Sequence, residues 1–322
     1  MNHPIVAITT GEPAGIGPDI ALYAASRSAR RSLVLIGDRD LLEERAAQLR
    51  LAVTLDEFQE NKSHQAGRIF ICHVPLTKSC IAGQLDENNA AYVLRLLDTA
   101  LAGCMANQFA ALITCPVHKA LINRAGITFC GHTEYFANKL HVRHPVMMFV
   151  AFRLRIALAT THIPLRQVPD AITFDQLEAM IKVLHHDLIH TFHLPTPHIF
   201  IAGLNPHAGE SGFLGQEEIQ IIEPVVHKLR QQGMFLEGPF PADTIYQQAK
   251  LAKADAIFMM FHDQGLPILK SLRFGQSVNM TLGLPIIRAS VDHGTALNLA
   301  GTGNAKPESL LSAIRLVHQL IR

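Results

Sequence analysis

The sequence predicts an α/β protein built on mostly parallel sheets. Short apolar runs alternate with amphipathic helical stretches along the chain, the pattern of strands joined by crossover helices. Three of those runs, Ile156 to Ala159, Ile199 to Leu204 and Ala256 to Phe261, are apolar without alternation, as strands covered on both faces are. Each leads within a few residues to a histidine in a polar motif: His162 in Ala-Thr-Thr-His-Ile-Pro, His207 in Leu-Asn-Pro-His-Ala-Gly-Glu, and His262 in Met-Met-Phe-His-Asp-Gln-Gly.

In chain order, Ile5 to Thr9, Leu33 to Ile36, Ile69 to Val74 and Ala110 to Thr114 read as strands. Helices are expected at Pro18 to Arg30, Leu41 to Arg50, Asn88 to Ala102 and Pro116 to Arg124. Pro18 and Pro116 suit first helical positions, where a missing N–H costs nothing. Gly126 stands where a left-handed helix stop is wanted. Val146 to Val150 and Leu154 to Ala159 flank Ala-Phe-Arg as a hairpin, which brings some antiparallel character. Thr173-Phe-Asp-Gln176 is a capping box opening a helix to Thr191. The last helix, Pro307 to Arg322, carries a stripe of Leu310, Leu311, Ile314, Val317 and Ile321. At 322 residues the chain has length for two domains, and the second is expected to begin near Gly131. Residues 1–130 with 280–322 then form the first domain and 131–279 the second.

Composition narrows the function. Hydrophobic residues at 48% and charged residues at 17% supply cores and exclude disorder. A formal charge of +1 gives no field for nucleic acid or an anionic membrane, so neither is expected as a partner. Cys72, Cys80, Cys104, Cys115 and Cys130 form no Cys-x-x-Cys pair and read as reduced thiols. No signal peptide and no membrane span is legible, so a soluble cytoplasmic protein is expected.

Ligands of open α/β sheets gather beyond the carboxyl ends of strands. His162, His207 and His262 placed there would converge on one divalent cation and leave positions open for substrate. The chain holds 18 histidines, so any one alone reads as a surface or satisfied core residue, and the spacing is not a local zinc pattern. Gly11-Glu-Pro-Ala-Gly15-Ile-Gly17 follows the first strand, but its glycine spacing is not that of a dinucleotide fingerprint, with Asp38 as ribose acid, and no Lys-Ser/Thr pair makes it a P-loop. A tight turn with close backbone approach is expected instead. Gly131-His132-Thr133-Glu134 opens a short helix suited to an anion or to simple capping. Lys270, Asn279 and Arg288 lie near strand ends; Arg288, inside an apolar stretch, needs a partner or ligand because an unpaired buried charge is expensive. His293-Gly294-Thr295-Ala296 offers exposed backbone amides and a ring against which an adenine can lie.

Together these motifs spell a family. Gly-Glu-Pro-Ala-Gly-Ile-Gly-Pro-Asp, Cys115-Pro-Val-His-Lys, Gly-His-Thr-Glu-Tyr-Phe, Ala-Thr-Thr-His-Ile-Pro-Leu, Leu-Asn-Pro-His-Ala-Gly-Glu, His-Asp-Gln-Gly-Leu-Pro and Asn279-Met-Thr-Leu-Gly-Leu-Pro through Asp-His-Gly-Thr-Ala resemble the 4-hydroxythreonine-4-phosphate dehydrogenases, over residues 5 to 305. The resemblance implies a two-domain α/β/α fold like isocitrate and isopropylmalate dehydrogenases, with a cleft between domains. It also implies a homodimer whose metal site is shared across the interface, and a place in pyridoxal phosphate biosynthesis. It implies His162, His207 and His262 as metal ligands, His132, Thr133, Lys270, Asn279 and Arg288 as substrate contacts, and His293 to Ala296 as the NAD or NADP loop. Cys115 and Arg124 depart from the family pattern, standing where Gly and Asp are expected. Zinc, cobalt or nickel suits three imidazoles better than magnesium. Asp243 and Asp263 are candidates for orienting the imidazoles, and Lys270 for taking the substrate proton, since desolvation among cations loosens a lysine's proton. Erythronate or threonate 4-phosphate is the nearby alternative substrate; a three-histidine hydrolase releasing phosphate without nicotinamide is the rival from another class.

Overall fold

The computed structural model describes residues 4–27, 32–59, 67–272 and 275–321. In chain order the elements are β1 Val6–Thr9, α1 Gly17–Arg27, β2 Leu33–Gly37, α2 Arg39–Gln48, β3 Thr54–Glu57, β4 Arg68–His73, α3 Ala90–Met105, β5 Ala111–Thr114, α4 Lys119–Arg124, α5 His132–Lys139, β6 Val146–Ala151 and β7 Leu154–Leu158. Then follow α6 Val168–Ala171, α7 Phe174–His190, β8 His198–Ala202, α8 Glu223–Gln231, β9 Phe235–Phe240, α9 Gln248–Leu251, β10 Ala256–Met259, α10 His262–Leu272, β11 Val278–Leu282, β12 Ile287–Val291 and α11 Glu308–Leu320. The chain divides into two compact units, Met1–Phe136 with Ile286–Arg322, and Ala137–Pro285.

In the first unit the strand order is β3-β4-β2-β1-β5-β12, all parallel. Ile8 stands opposite Leu35 and Ile113, and all three are fully buried. The apolar stripe of α11 buries Leu310, Ala313, Ile314 and Val317 completely, each large side chain contributing about 1.5–3 kcal/mol. In the second unit the order is β11-β6-β7-β10-β8-β9. β6 is antiparallel to both β7 and β11, while β7, β10, β8 and β9 run parallel. The hairpin is therefore present, and the three unalternating runs are buried parallel neighbours, with Ile257 between Ile156 and Phe200.

Thr173 caps α7, its Oγ1 accepting from the Gln176 amide, and Gly126 adopts a φ of 81° after α4. Some elements differ from those expected. β3 was not expected: it has one buried side chain, Leu55, in a short run otherwise partly open to solvent, too little for an alternation to register. α4 begins at Lys119, not Pro116, because the Nδ1 of His118 caps it by accepting from the Leu121 amide at 3.1 Å. Asp38, the residue that tempts a nucleotide reading, is the N-cap of α2; its carboxylate accepts from the Leu41 and Leu76 amides, both at 2.9 Å. The expected helix continuations through Arg30 and Arg322 lie outside the described residues. Among the described residues, no helix is long and apolar enough to cross a membrane.

Candidate active site

Strands β7, β10 and β8 lie side by side and end in the segments that carry the three histidines. The rings of His162 and His262 have centroids 5.8 Å apart. His262 is the first residue of α10, and its Nδ1 lies 2.6 Å from Asp263 Oδ1. The helix can start so close under β7 because residue 265 is glycine: a Cβ there would meet Ile156 at 2.7 Å. His207 stands exposed in a run of left-handed backbone, His207, Ala208, Gly209, Glu210 and Ser211, with φ from 44° to 78°. Such conformations cost a non-glycine residue about 1–2 kcal/mol each and persist only where the surroundings impose them. Glu218, 1% exposed, braces the backbone that leads into this run. Its Oε1 accepts from the Leu204 and Asn205 amides at 2.7 and 2.8 Å, and its Oε2 from Asn205 Nδ2 at 2.9 Å. The His207 Nδ1 lies 3.3 Å from Glu210 Oε2. Among the described residues of the single chain, no three His, Cys, Asp or Glu side chains form a group able to hold a metal. His162 and His262 are brought together; His207 does not complete the set within one chain.

Asp263 stands beside the His262 ring. Asp243 is exposed after β9 in the single chain, and Glu210, unforeseen, stands at His207. Lys270 lies half-buried in the last turn of α10. Asn279, in β11 opposite Phe149, has a buried Oδ1 with no hydrogen-bond partner.

In the first unit, β12 places Arg288 beside β5. Its guanidinium is 1% exposed, donates from Nη2 to Thr114 Oγ1 at 2.5 Å and lies 5.9 Å from the Phe136 ring. Burial pulls its pKa down, and the Glu134 carboxylate opposes that. His132 opens α5 with a buried Nε2 that has no hydrogen-bond partner. Burial first, then the Arg288 and Lys119 charges, hold its pKa well below the ordinary histidine value, so the ring is neutral at pH 7. At Gly131 a Cβ would meet Glu134 Oε2 at 2.7 Å and Lys119 Nζ at 3.1 Å, so both charged side chains reach close over its backbone. Thr133 is buried directly after His132.

The His293 to Ala296 loop rests on the glycine-rich turn after β1. Ile16 donates to the Thr295 carbonyl at 2.9 Å, and a Cβ at residue 15 would strike that same oxygen. His293 and Gly294 are exposed, and nothing lies within 4 Å of where a Gly294 Cβ would be. The two family departures fit locally: Cys115 is fully buried against Gly17, and Arg124 pairs with Glu87 at 3.0 Å.

Sequence reasoning passed over Glu12 in the same turn. Its carboxyl is 1% exposed; Oε1 accepts from the Ala14 amide at 3.2 Å, and Oε2 has no hydrogen-bond partner. Burial raises its pKa to about 7. A carboxyl with a raised folded pKa contributes stability below its unfolded pKa and loses it as pH rises through the folded value. Stability is therefore expected to fall between pH 4.5 and about 7, by roughly 3 kcal/mol from this group. Glu12→Gln should flatten that decline in urea titrations run across the window, and an unchanged slope refutes the assignment.

Parallel strands that deliver imidazoles beyond their carboxyl ends, with a buried guanidinium and a neutral buried histidine elsewhere in the chain, belong to the class of α/β enzymes acting on small anionic metabolites. The family model of the pyridoxal phosphate biosynthetic protein PdxA matches residues 29–317. The 4-hydroxythreonine-4-phosphate dehydrogenase of Chromobacterium violaceum is 51% identical over 99% of this chain and 97% of its own. The crystal structure of the enzyme of that name from Klebsiella pneumoniae superposes with a TM-score of 0.91 at 33% identity, covering 99% of this chain and all of the other. A terephthalate 1,2-cis-dihydrodiol dehydrogenase from Burkholderia xenovorans superposes at 0.71 with 29% identity, covering 98% of each chain. The chain belongs to the PdxA family, whose named relatives are dehydrogenases.

Proposed function

We propose that this chain oxidises the secondary alcohol of 4-hydroxythreonine 4-phosphate, with NAD or NADP accepting the hydride. The product, 2-amino-3-oxo-4-phosphooxybutanoate, is a β-keto acid; its carboxylate leaves as CO2, the C–C electrons pass to the carbonyl, and protonation gives 3-amino-2-oxopropyl phosphate for pyridoxal phosphate biosynthesis. The observation that carries this reading is the His162–His262 pair at adjacent strand ends, in a chain of this family.

The donors fit a divalent cation of the zinc or cobalt kind better than magnesium. Carboxylates lie at the Nδ1 atoms of His262 and His207, the arrangement that fixes tautomer and leaves Nε2 for an ion. His162, His207 and His262 are assigned to hold it, between two subunits of a homodimer. Support for the shared site comes from Ile163, Leu165, Phe213, Leu214 and Ile219, large apolar side chains exposed next to His162 and in and after the His207 segment, which a partner would cover. When bound, the cation supplies Lewis acidity that eases loss of the hydroxyl proton. The open backbone at Gly294 and the exposed His293 ring fit a dinucleotide, which supplies the hydride acceptor.

The chain's own groups orient and move protons. Arg288 supplies charge-assisted donors to the phosphate, and His132 and Thr133 add neutral ones. Asn279 and Lys270 are assigned to the remainder of the substrate, with Lys270 Nζ taking the proton of the hydroxyl oxygen. Asp263 holds the His262 ring in place.

Initial rates of NAD(P)H formation on 4-hydroxythreonine 4-phosphate and on erythronate 4-phosphate, run in parallel with metal present, test the reading. The amino substrate is expected to be the faster; a reversed order sinks the substrate assignment. Inorganic phosphate release without nicotinamide would instead point to the hydrolase. Arg288→Lys keeps a charge but loses the planar fork, so its KM for the phosphate substrate should rise by about tenfold or more.

A further inference from the structure

The second unit also contains a cavity of about 340 Å³, at the end of its strands remote from the histidines. Leu154 and Arg155 begin β7 and Ala256 begins β10, whereas His162 and His262 follow the other ends of those two parallel strands. The volume sits at the low end of the range for small-molecule sites. The lining is mostly apolar, including Leu154, Leu251, Ala256 and Leu269, and among the described residues the charged ones that line it, Arg153 and Arg155, are both cations.

Arg155 is short of partners. Its Nη1 donates to the Asp255 carbonyl at 3.0 Å and its guanidinium lies 5.1 Å from the Phe192 ring. Its Nε is buried without a hydrogen-bond partner, and among the described residues no ion pair to a carboxylate is formed by Arg155. Burial pulls its proton affinity down, with the Asp255 charge opposing. A half-buried guanidinium with unused donors costs free energy unless something satisfies it. Water would satisfy the head but leave the apolar walls wet. A bare inorganic ion would likewise leave them unused.

We propose that this cavity binds a small organic anion, its carboxylate or phosphate head on Arg153 and Arg155 and a short apolar body against Leu154, Leu251, Ala256 and Leu269. The site is distinct from the histidine end of the unit and bears on it through one helix. Leu269 and Lys270 are neighbours on α10, and His262 begins that helix, about 10 Å away at 1.5 Å per residue. An occupant touching Leu269 therefore acts on the element that carries both His262 and Lys270.

The test is calorimetric titration of the purified protein, without nicotinamide or substrate, with hexanoate, hexyl phosphate, hexanol and inorganic phosphate. Because binding and not turnover is read, the outcome is separable from the dehydrogenase reading. Hexanoate or hexyl phosphate should bind saturably, one per chain, about tenfold tighter than hexanol, the margin of one charge-assisted contact; the tighter of the two identifies the head group. Arg155→Met should weaken the anions by about tenfold without changing hexanol, Arg153→Met should act in the same direction, and Ala254→Leu, which narrows the lining, should weaken all the hexyl probes. Melting temperature monitors folding of each variant. Absence of saturable anion binding, equal affinity for hexanol, full displacement by equimolar inorganic phosphate, or wild-type affinity in both arginine variants would overturn the proposal.

Discussion

His262→Ala should lower kcat/KM for 4-hydroxythreonine 4-phosphate by about a thousandfold, since a Lewis-acid contribution of several kcal/mol is lost with the ion. Stability should change little, because the side chain is 34% exposed and its one hydrogen bond is to the exposed Asp263. Asp263→Asn should cost less, about ten- to a hundredfold, as expected when an orienting partner rather than a ligand is removed. Both are read by NAD(P)H absorbance with zinc or cobalt supplied, and dialysis against a chelator should reproduce the His262→Ala loss in the wild-type chain. A His262→Ala loss below about tenfold would remove the histidine from the reaction.

The largest expected stability effect lies at Asp19. Its carboxylate is fully buried and paired with Arg45, itself 2% exposed. Arg45 also donates to the carbonyls of Gly15 and Pro13 at 3.2 Å, and Asp19 Oδ2 accepts from the Gly301 amide at 2.7 Å. The pair thus clamps the turn on which the Thr295 loop rests. Asp19→Ala leaves an uncompensated buried cation, which costs about 3–5 kcal/mol, and a drop in melting temperature of about 10 °C should follow. Adding Arg45→Met should recover much of the loss, because an apolar side chain of similar volume has no charge to bury. A double variant no more stable than Asp19→Ala would show that the clamp, rather than the stranded charge, carries the effect.

The contrast between these two residues explains what the sequence could reveal. The strand-end placement of His162, His207 and His262 was legible because each follows an unbroken apolar run. Arg288 was legible because a charge inside Leu-Pro-Ile-Ile-Arg-Ala-Ser needs a partner, and Thr114, Phe136 and Glu134 surround it. Asp19 and Arg45 gave no signal: they stand 26 positions apart on α1 and α2, and only the packing of those helices joins them. Glu12 looked like an ordinary turn residue; its amide donates to the Pro116 carbonyl, and only the folded chain shows that its carboxyl is buried. The left-handed run at His207 was hidden because His, Ala, Glu and Ser do not favour that conformation.

Anomalous diffraction from zinc-loaded crystals, recorded above and below the zinc edge, tests the central claim most directly. The account predicts a single peak per site about 2.1 Å from one ring nitrogen each of His162, His207 and His262, the three drawn from two subunits. A peak elsewhere, or a dimer in which the His207 ring points away from the other two, would contradict it.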